Sequence, residues 1–193
     1  MIDITLKFLT NELNTYLVTR TGLNQSEVVK MSRVVDEAGK YAFDKETICA
    51  AIINIEEERT FKSHLPEYIY INGQHVILEP ALKLNLHLLF AANFTLYDMA
   101  LKYISYILTY FQSHPYFTPV EYPGLDPRIG KLTLELQSLS YEQLNQVWAF
   151  IGGKYLTSAI YKVRMVVLQD DVLTSVQPPV TLINTTIQSQ SQS

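Results

Sequence analysis

The chain has 193 residues, 48% of them hydrophobic and 18% charged, which is enough to bury a real core in one domain and excludes disorder throughout. Fifteen basic against nineteen acidic side chains leave a net charge of −4 without a basic stripe, so electrostatic capture of nucleic acid or anionic lipid has no support. No apolar run reaches the ~18 residues of a membrane span, and four scattered histidines with one cysteine offer no metal-ligand spacing, so no metal or cofactor is expected. Taken in order, residues 2–20 read as a helix: Ile2, Leu6, Leu9, Leu13, Tyr16 and Leu17 line one face, and Gly22 stops it. Asp3 and Arg20 sit at the ends that suit the helix dipole. Met1-Ile2-Asp3-Ile4 carries an acid where a signal peptide carries positive charge, so the protein is expected to be made in the cytoplasm and not to export itself by this route.

Residues 26–35 are strand-like and 36–44 form a loop. The apolar run 46–55 predicts a central strand covered on both faces, ending in Glu56-Glu57-Glu58-Arg59. Its Cys49 reads as a buried, inert thiol. Tyr68–Ile71 and His75–Leu78 flank Asn72-Gly73-Gln74, a hairpin signal. The hairpin over 66–78, bracketed by Pro66 and Pro80, is expected to project from the domain and to cover either the domain body or a neighbouring chain.

From Leu82 the period is two: Leu82, Leu84, Leu86, Leu88 and Phe90 point one way, and Lys83, Asn85 and His87 the other. A turn is expected at 91–94, then a helix capped by Thr95 with Asp98, carrying an apolar stripe of Tyr97, Ala100, Leu101, Ile104, Leu108 and Phe111. His114-Pro115 ends it. The proline-rich aromatic stretch 115–130 reads as a rigid loop. Residues 131–137 alternate cleanly, with Leu132, Leu134 and Leu136 inward. Ser140 with Gln143 is a capping box for a helix that buries Leu144, Val147, Trp148 and Ile151 and ends at Gly152-Gly153. A last strand over 158–168 sets Tyr161, Val163, Met165 and Val167 against Lys162 and Arg164. The Ser/Thr/Gln/Pro-rich tail over 171–193 is too polar to fold alone.

Nothing in this order supplies catalytic machinery. There is no Gly-rich phosphate loop and no Gly-x-Ser-x-Gly elbow. The acid pairs Glu56-Glu57 and Asp170-Asp171 lie at strand ends, where carboxylates are usually solvated. The thirteen tyrosines suit either an interface or the edge of a core.

Three stretches carry a resemblance: ITLKFLTNELNTYL near the start, NIEEER with LKLNLHLLFAANF, and KLTLELQSLSYEQLNQVWAFIGGKYLTSAIYKVRM. Over roughly residues 1–168 they resemble the cap, or tail-terminator, family of contractile injection systems, the phage-tail-like particles of antifeeding-prophage and virulence-cassette type. The resemblance implies an α+β fold over 1–170, a mixed β-sheet packed with about three helices and carrying the inserted hairpin. It implies a non-enzymatic role: a homohexameric ring at the distal end of the inner tube that stops tube growth and anchors the last sheath ring, in a particle that can be released from the cell. Self, tube protein and sheath protein are the implied partners, with no nucleic acid and no membrane. Candidate contacts with them are Glu56, Glu57, Glu58, Arg59, Tyr68, Tyr70, Asn93, Lys162 and Arg164. A closed ring needs two different patches per subunit, and an open sheet edge in 26–35 or the hairpin could receive a partner strand. A baseplate or tube-adaptor subunit is the alternative within such particles, and a small-ligand domain the alternative outside them.

Overall fold

The computed structural model describes residues 1–22, 27–59, 67–71, 74–78, 82–168 and 175–177. The chain divides into two units, Met1–Phe61 with Leu82–Leu168, and Lys62–Ala81 with Gln169–Ser193. In the first unit the order is α1 (Ile2–Thr21), β1 (Val29–Met31) and β2 (Thr47–Glu57). The second unit holds β3 (Glu67–Ile71) and β4 (Gln74–Leu78). The first then resumes with β5 (Leu82–Asn93), α2 (Tyr97–Ser113), β6 (Tyr116–Phe117), a 3-10 turn (Pro127–Ile129), β7 (Leu132–Leu136), α3 (Tyr141–Ile151) and β8 (Ser158–Leu168). β9 (Ser175–Gln177) belongs to the second.

The first unit is an α+β fold around a six-stranded mixed sheet, ordered β1-β2-β5-β8-β7-β6. β1 runs parallel to β2 and every other pair is antiparallel. Successive residues of a strand face opposite sides, and both sides of β5 are used. Leu84, Leu86, Leu88, Phe90 and Ala92 join Leu9, Leu13 and Leu17 of α1 and Ile107 and Phe111 of α2 in one cluster. Leu89 and Ala91 join Trp148 of α3, Cys49, Ala51 and Ile160 in another. The strand therefore runs on through Ala91 and Ala92, which are buried between helix layers, where a turn was expected.

The start of α2 departs from the expected cap in the same place. Leu96 is the N-cap and makes no side-chain cap bond; the Thr95 N–H instead donates to the Glu46 carboxylate at 2.9 Å. Glu46 holds a left-handed φ of 60° to do so. The buried face of α2 is also rotated from the expected stripe. Tyr103, Ile107 and Tyr110 are buried with Ala100, Ile104 and Phe111, while Tyr97 and Leu101 are exposed. Ring partners account for this: Tyr103 stacks on Phe94 at 4.7 Å and Tyr110 packs on Tyr16 at 4.9 Å.

α3 forms as expected, with both bonds of the Ser140/Gln143 capping box present and Gly152 left-handed at its end. In β7, Leu132 and Leu134 are buried, whereas Leu136 is about half exposed.

Two irregularities bend the sheet. β2 carries an extra residue between Ile52 and Asn54 against β5, and β5 and β8 shift register between Leu84 and Leu86. The sheet's edges are blunted. On β1, the Asn14 amide of α1 donates to the Val29 carbonyl at 2.9 Å, and its oxygen accepts from the Val28 and Val29 N–H groups. The edge expected to be open in 26–35 is thus closed at Val29 by a helix side chain. At the other side β6 pairs with Thr133 and Leu132, and the Leu134 N–H donates to the Pro115 carbonyl.

In the second unit β3 and β4 pair antiparallel with Ile71 opposite Gln74, the register expected of a hairpin, and β9 pairs with β4. The Asn72-Gly73 turn lies outside the described residues. So does the expected polar tail, apart from Ser175–Gln177, which form a strand instead of an unpaired segment.

Candidate functional site

The candidate residues that the sequence places in one charged run are separated by the fold. The bulge in β2 puts Ile53 and Asn54 on the same side, so the parity of the strand changes. Glu56 then points to the face shared with α3. There its Oε2 accepts from Lys162 Nζ of β8 at 2.9 Å, reaching across β5. His87 of β5 lies between them, Nε2 3.2 Å from the same oxygen but without the alignment of a hydrogen bond. On the far side of Lys162, Arg164 Nη2 meets Glu135 Oε2 of β7 at 2.9 Å, and Glu135 stands opposite Lys162 in the strand register. The result is a polar band across four strands: Glu56, His87, Lys162, then Glu135 with Arg164. Lys162 first, and His87 after it, hold the Glu56 carboxyl below its ordinary range.

The neighbours of Glu56 go elsewhere. Glu58 is buried and accepts from the Asn85 amide at 2.8 Å. Glu57 lies 3.7 Å from Arg59, whose side chain is almost fully exposed. Asn93 ends β5 and donates to the Asp44 carbonyl, tying the β2 entry to the α2 entry. Tyr68 and Tyr70 fall in β3, and their side chains lie outside the described residues. Of the nine candidates, then, Glu56, Lys162 and Arg164 share one constellation. Glu57, half-buried, and the exposed Arg59 form a second pair, and Glu58 and Asn93 hold the fold. His87, Glu135 and Asn85 complete these groups. Alternation placed Glu135, Lys162 and Arg164 on the polar side of their strands, but which strands lie side by side is not written in any local pattern.

Beside the band, α3 and the sheet enclose a cleft of about 380 Å³ lined by Ile53, Asn54, His87, Gln137, Gln146 and Phe150, among others. The band's carboxylates are engaged by cations, which suits cross-strand ties and surface recognition more than proton transfer. Burial pushes the Cys49 thiol up to about 12, and its Sγ donates to the Ser32 carbonyl, so no thiolate nucleophile is available. Among the described residues no cluster of His, Cys, Asp or Glu is placed to hold a metal ion, and no helix is long and apolar enough to cross a membrane.

With this geometry in hand, comparison with known proteins is specific. No curated protein matches the chain. Among solved structures, the sheath/tube terminator of the extracellular contractile injection system PVC, in its extended state, has the same fold. Its TM-score is 0.67 at 17% identity, covering 99% of this chain and 64% of that one. The tube-terminating cap of the anti-feeding prophage follows, with a TM-score of 0.61 at 14% identity over 93% of this chain and 60% of that one. The chain thus spans less than two thirds of the length of either structure's chain. The Pvc16 N-terminal domain family matches residues 5–181, nearly the whole length, and the chain belongs to that family.

Proposed function

We propose that the chain is a cap subunit of a contractile injection system, closing the distal end of the inner tube as a homohexameric ring and anchoring the last sheath ring. The observation that carries this reading is the likeness of fold to the PVC sheath/tube terminator through 99% of the chain. Membership of the Pvc16 N-terminal domain family and the likeness to the anti-feeding prophage cap support it. The role is structural, not enzymatic, and assembly takes place in the cytoplasm before the particle is released. Within the ring, the half-buried Glu57 and the exposed Arg59 beside it, with Tyr68 and Tyr70 of the hairpin, serve subunit and tube contacts. The Glu56–Lys162 and Glu135–Arg164 ties hold the sheet that presents them.

The test is co-expression of the particle's tube and sheath proteins with and without this chain, followed by electron microscopy. With the chain present, tubes of uniform length carrying a terminal density at the end away from the baseplate are expected. Without it, tube and sheath lengths scatter. A tagged chain found at the baseplate end would replace the cap reading with that of a baseplate or tube adaptor. A chain that associates with neither protein would end both readings. Light scattering across a concentration series then separates a preformed ring from one that closes only on the tube.

A further inference from the structure

A pocket of about 420 Å³ lies where α2 ends. It is lined by Ser113, His114, Pro115, Tyr116, Glu121 and Tyr122. Its walls are aromatic and firmly held. His114 stacks on Tyr110 at 4.5 Å, and Tyr122 meets Phe117 edge-on at 4.8 Å. Its electrostatics are negative from several independent sources. Glu121 stands on the rim, its carboxylate taking only a Thr118 hydroxyl at 3.3 Å among the described contacts. Glu12 of α1 approaches from behind, accepting from the Tyr110 hydroxyl at 3.4 Å. Burial first, and then Glu12 and Glu121, raise the Tyr122 phenol, which places both carboxylates within electrical reach of the pocket wall. The C-terminus of α2, the negative end of its dipole, opens here with no basic residue in its last turn. The faces of aromatic rings are themselves negative.

The chain already shows what such a surface attracts, because Lys131 Nζ sits 4.8 Å over the Tyr116 ring. Glu121 is the carboxylate on the pocket's rim, and Glu12 lies close enough to act on its Tyr122 wall. We propose that this pocket takes the guanidinium of an arginine side chain presented by a neighbouring polypeptide, stacked on the aromatic wall and hydrogen-bonded to Glu121. A guanidinium fits better than a quaternary ammonium because Glu121 and the Ser113 hydroxyl offer acceptors that an alkylated cation cannot use. A planar guanidinium also both stacks and donates. The assignment stands independently of the cap reading.

The test titrates N-acetyl-arginine N-methylamide into the isotope-labelled full chain and follows the amide resonances. Saturable shifts are expected at His114, Tyr116, Glu121 and Tyr122. The uncharged citrulline analogue should bind at least about fivefold more weakly, the order of one exposed cation–π contact. Glu121→Gln, an exposed substitution, should weaken the arginine probe to a similar degree, and Tyr116→Leu should do so with the carboxylate intact. Equal binding of the arginine and citrulline probes, indifference to both substitutions, or shifts that never saturate would overturn the proposal. Tetramethylammonium binding as tightly as the arginine probe would also overturn it, in favour of a small-molecule cation site.

Discussion

The face of the sheet beneath α3 is finished in two ways. At one end Cys49, Ala51, Leu89, Ala91 and Ile160 pack under Trp148. At the other end, on the same strands, Glu56, His87, Lys162 and Arg164 replace them. The packed end is held by burial, which is short-ranged, insensitive to salt and costly to disturb. The charged end is held by partly exposed ion pairs, which add little stability but fix which strand faces which. A surface that must meet other chains can be built at the second end without exposing the core at the first. That difference can be tested by three substitutions of decreasing effect.

The largest effect is expected in the core opposite. Phe90 is fully buried and meets Phe111 and Tyr161 at ring distances of 5.7 and 6.1 Å. Phe90→Ala should cost about 3–5 kcal/mol in urea unfolding, the usual penalty for emptying such a site. A loss no larger than that of a surface substitution would mean that this layer is not the core.

Next comes the tie between helix and edge strand. Asn14→Ala removes the partner of the Val28 and Val29 N–H groups and of the Val29 carbonyl. The expected cost is about 1–3 kcal/mol, with faster amide hydrogen exchange confined to β1 and its neighbour. Uniform exchange across the sheet would show that Asn14 is not specific to that edge.

The smallest effect belongs to the charged end, and it depends on pH. The Glu56 carboxyl is held below the ordinary carboxylate range, first by Lys162 and then by His87. Its contribution is therefore complete above the unfolded pKa and is lost as pH falls through the lower folded value. Being partly exposed, it should amount to no more than about 0.5 kcal/mol near neutrality. Glu56→Gln should remove that part of the acid limb of the stability–pH curve and lower the sensitivity to salt. An unchanged acid limb would show that the band does not contribute.

Much of the fold was legible in the chain itself. The heptad-like leucines of α1, the alternation of β7, the Ser140 box and the Asn-Gly hairpin each carry their cause within a few residues, so periodicity and capping chemistry suffice to place them. The candidate site was legible in part. Lys162 and Arg164 were assigned to the polar side of their strand, and that is where they lie. The run Glu56-Glu57-Glu58-Arg59 is continuous in the chain, yet it occupies three different environments.

Sequence alone determined the three helices and most of the longer strands, and which of their residues are polar, because these follow from neighbours two to four positions away. Tertiary structure alone decided which face Glu56 occupies and what each charge meets. One extra residue in β2 reverses the side on which Glu56 emerges. The ring of Tyr16, on α1, helps choose the buried face of α2. Glu46, forty-nine residues away, satisfies the Thr95 N–H. Each of these is a contact between residues distant in the chain, and a local pattern holds no record of a distant partner.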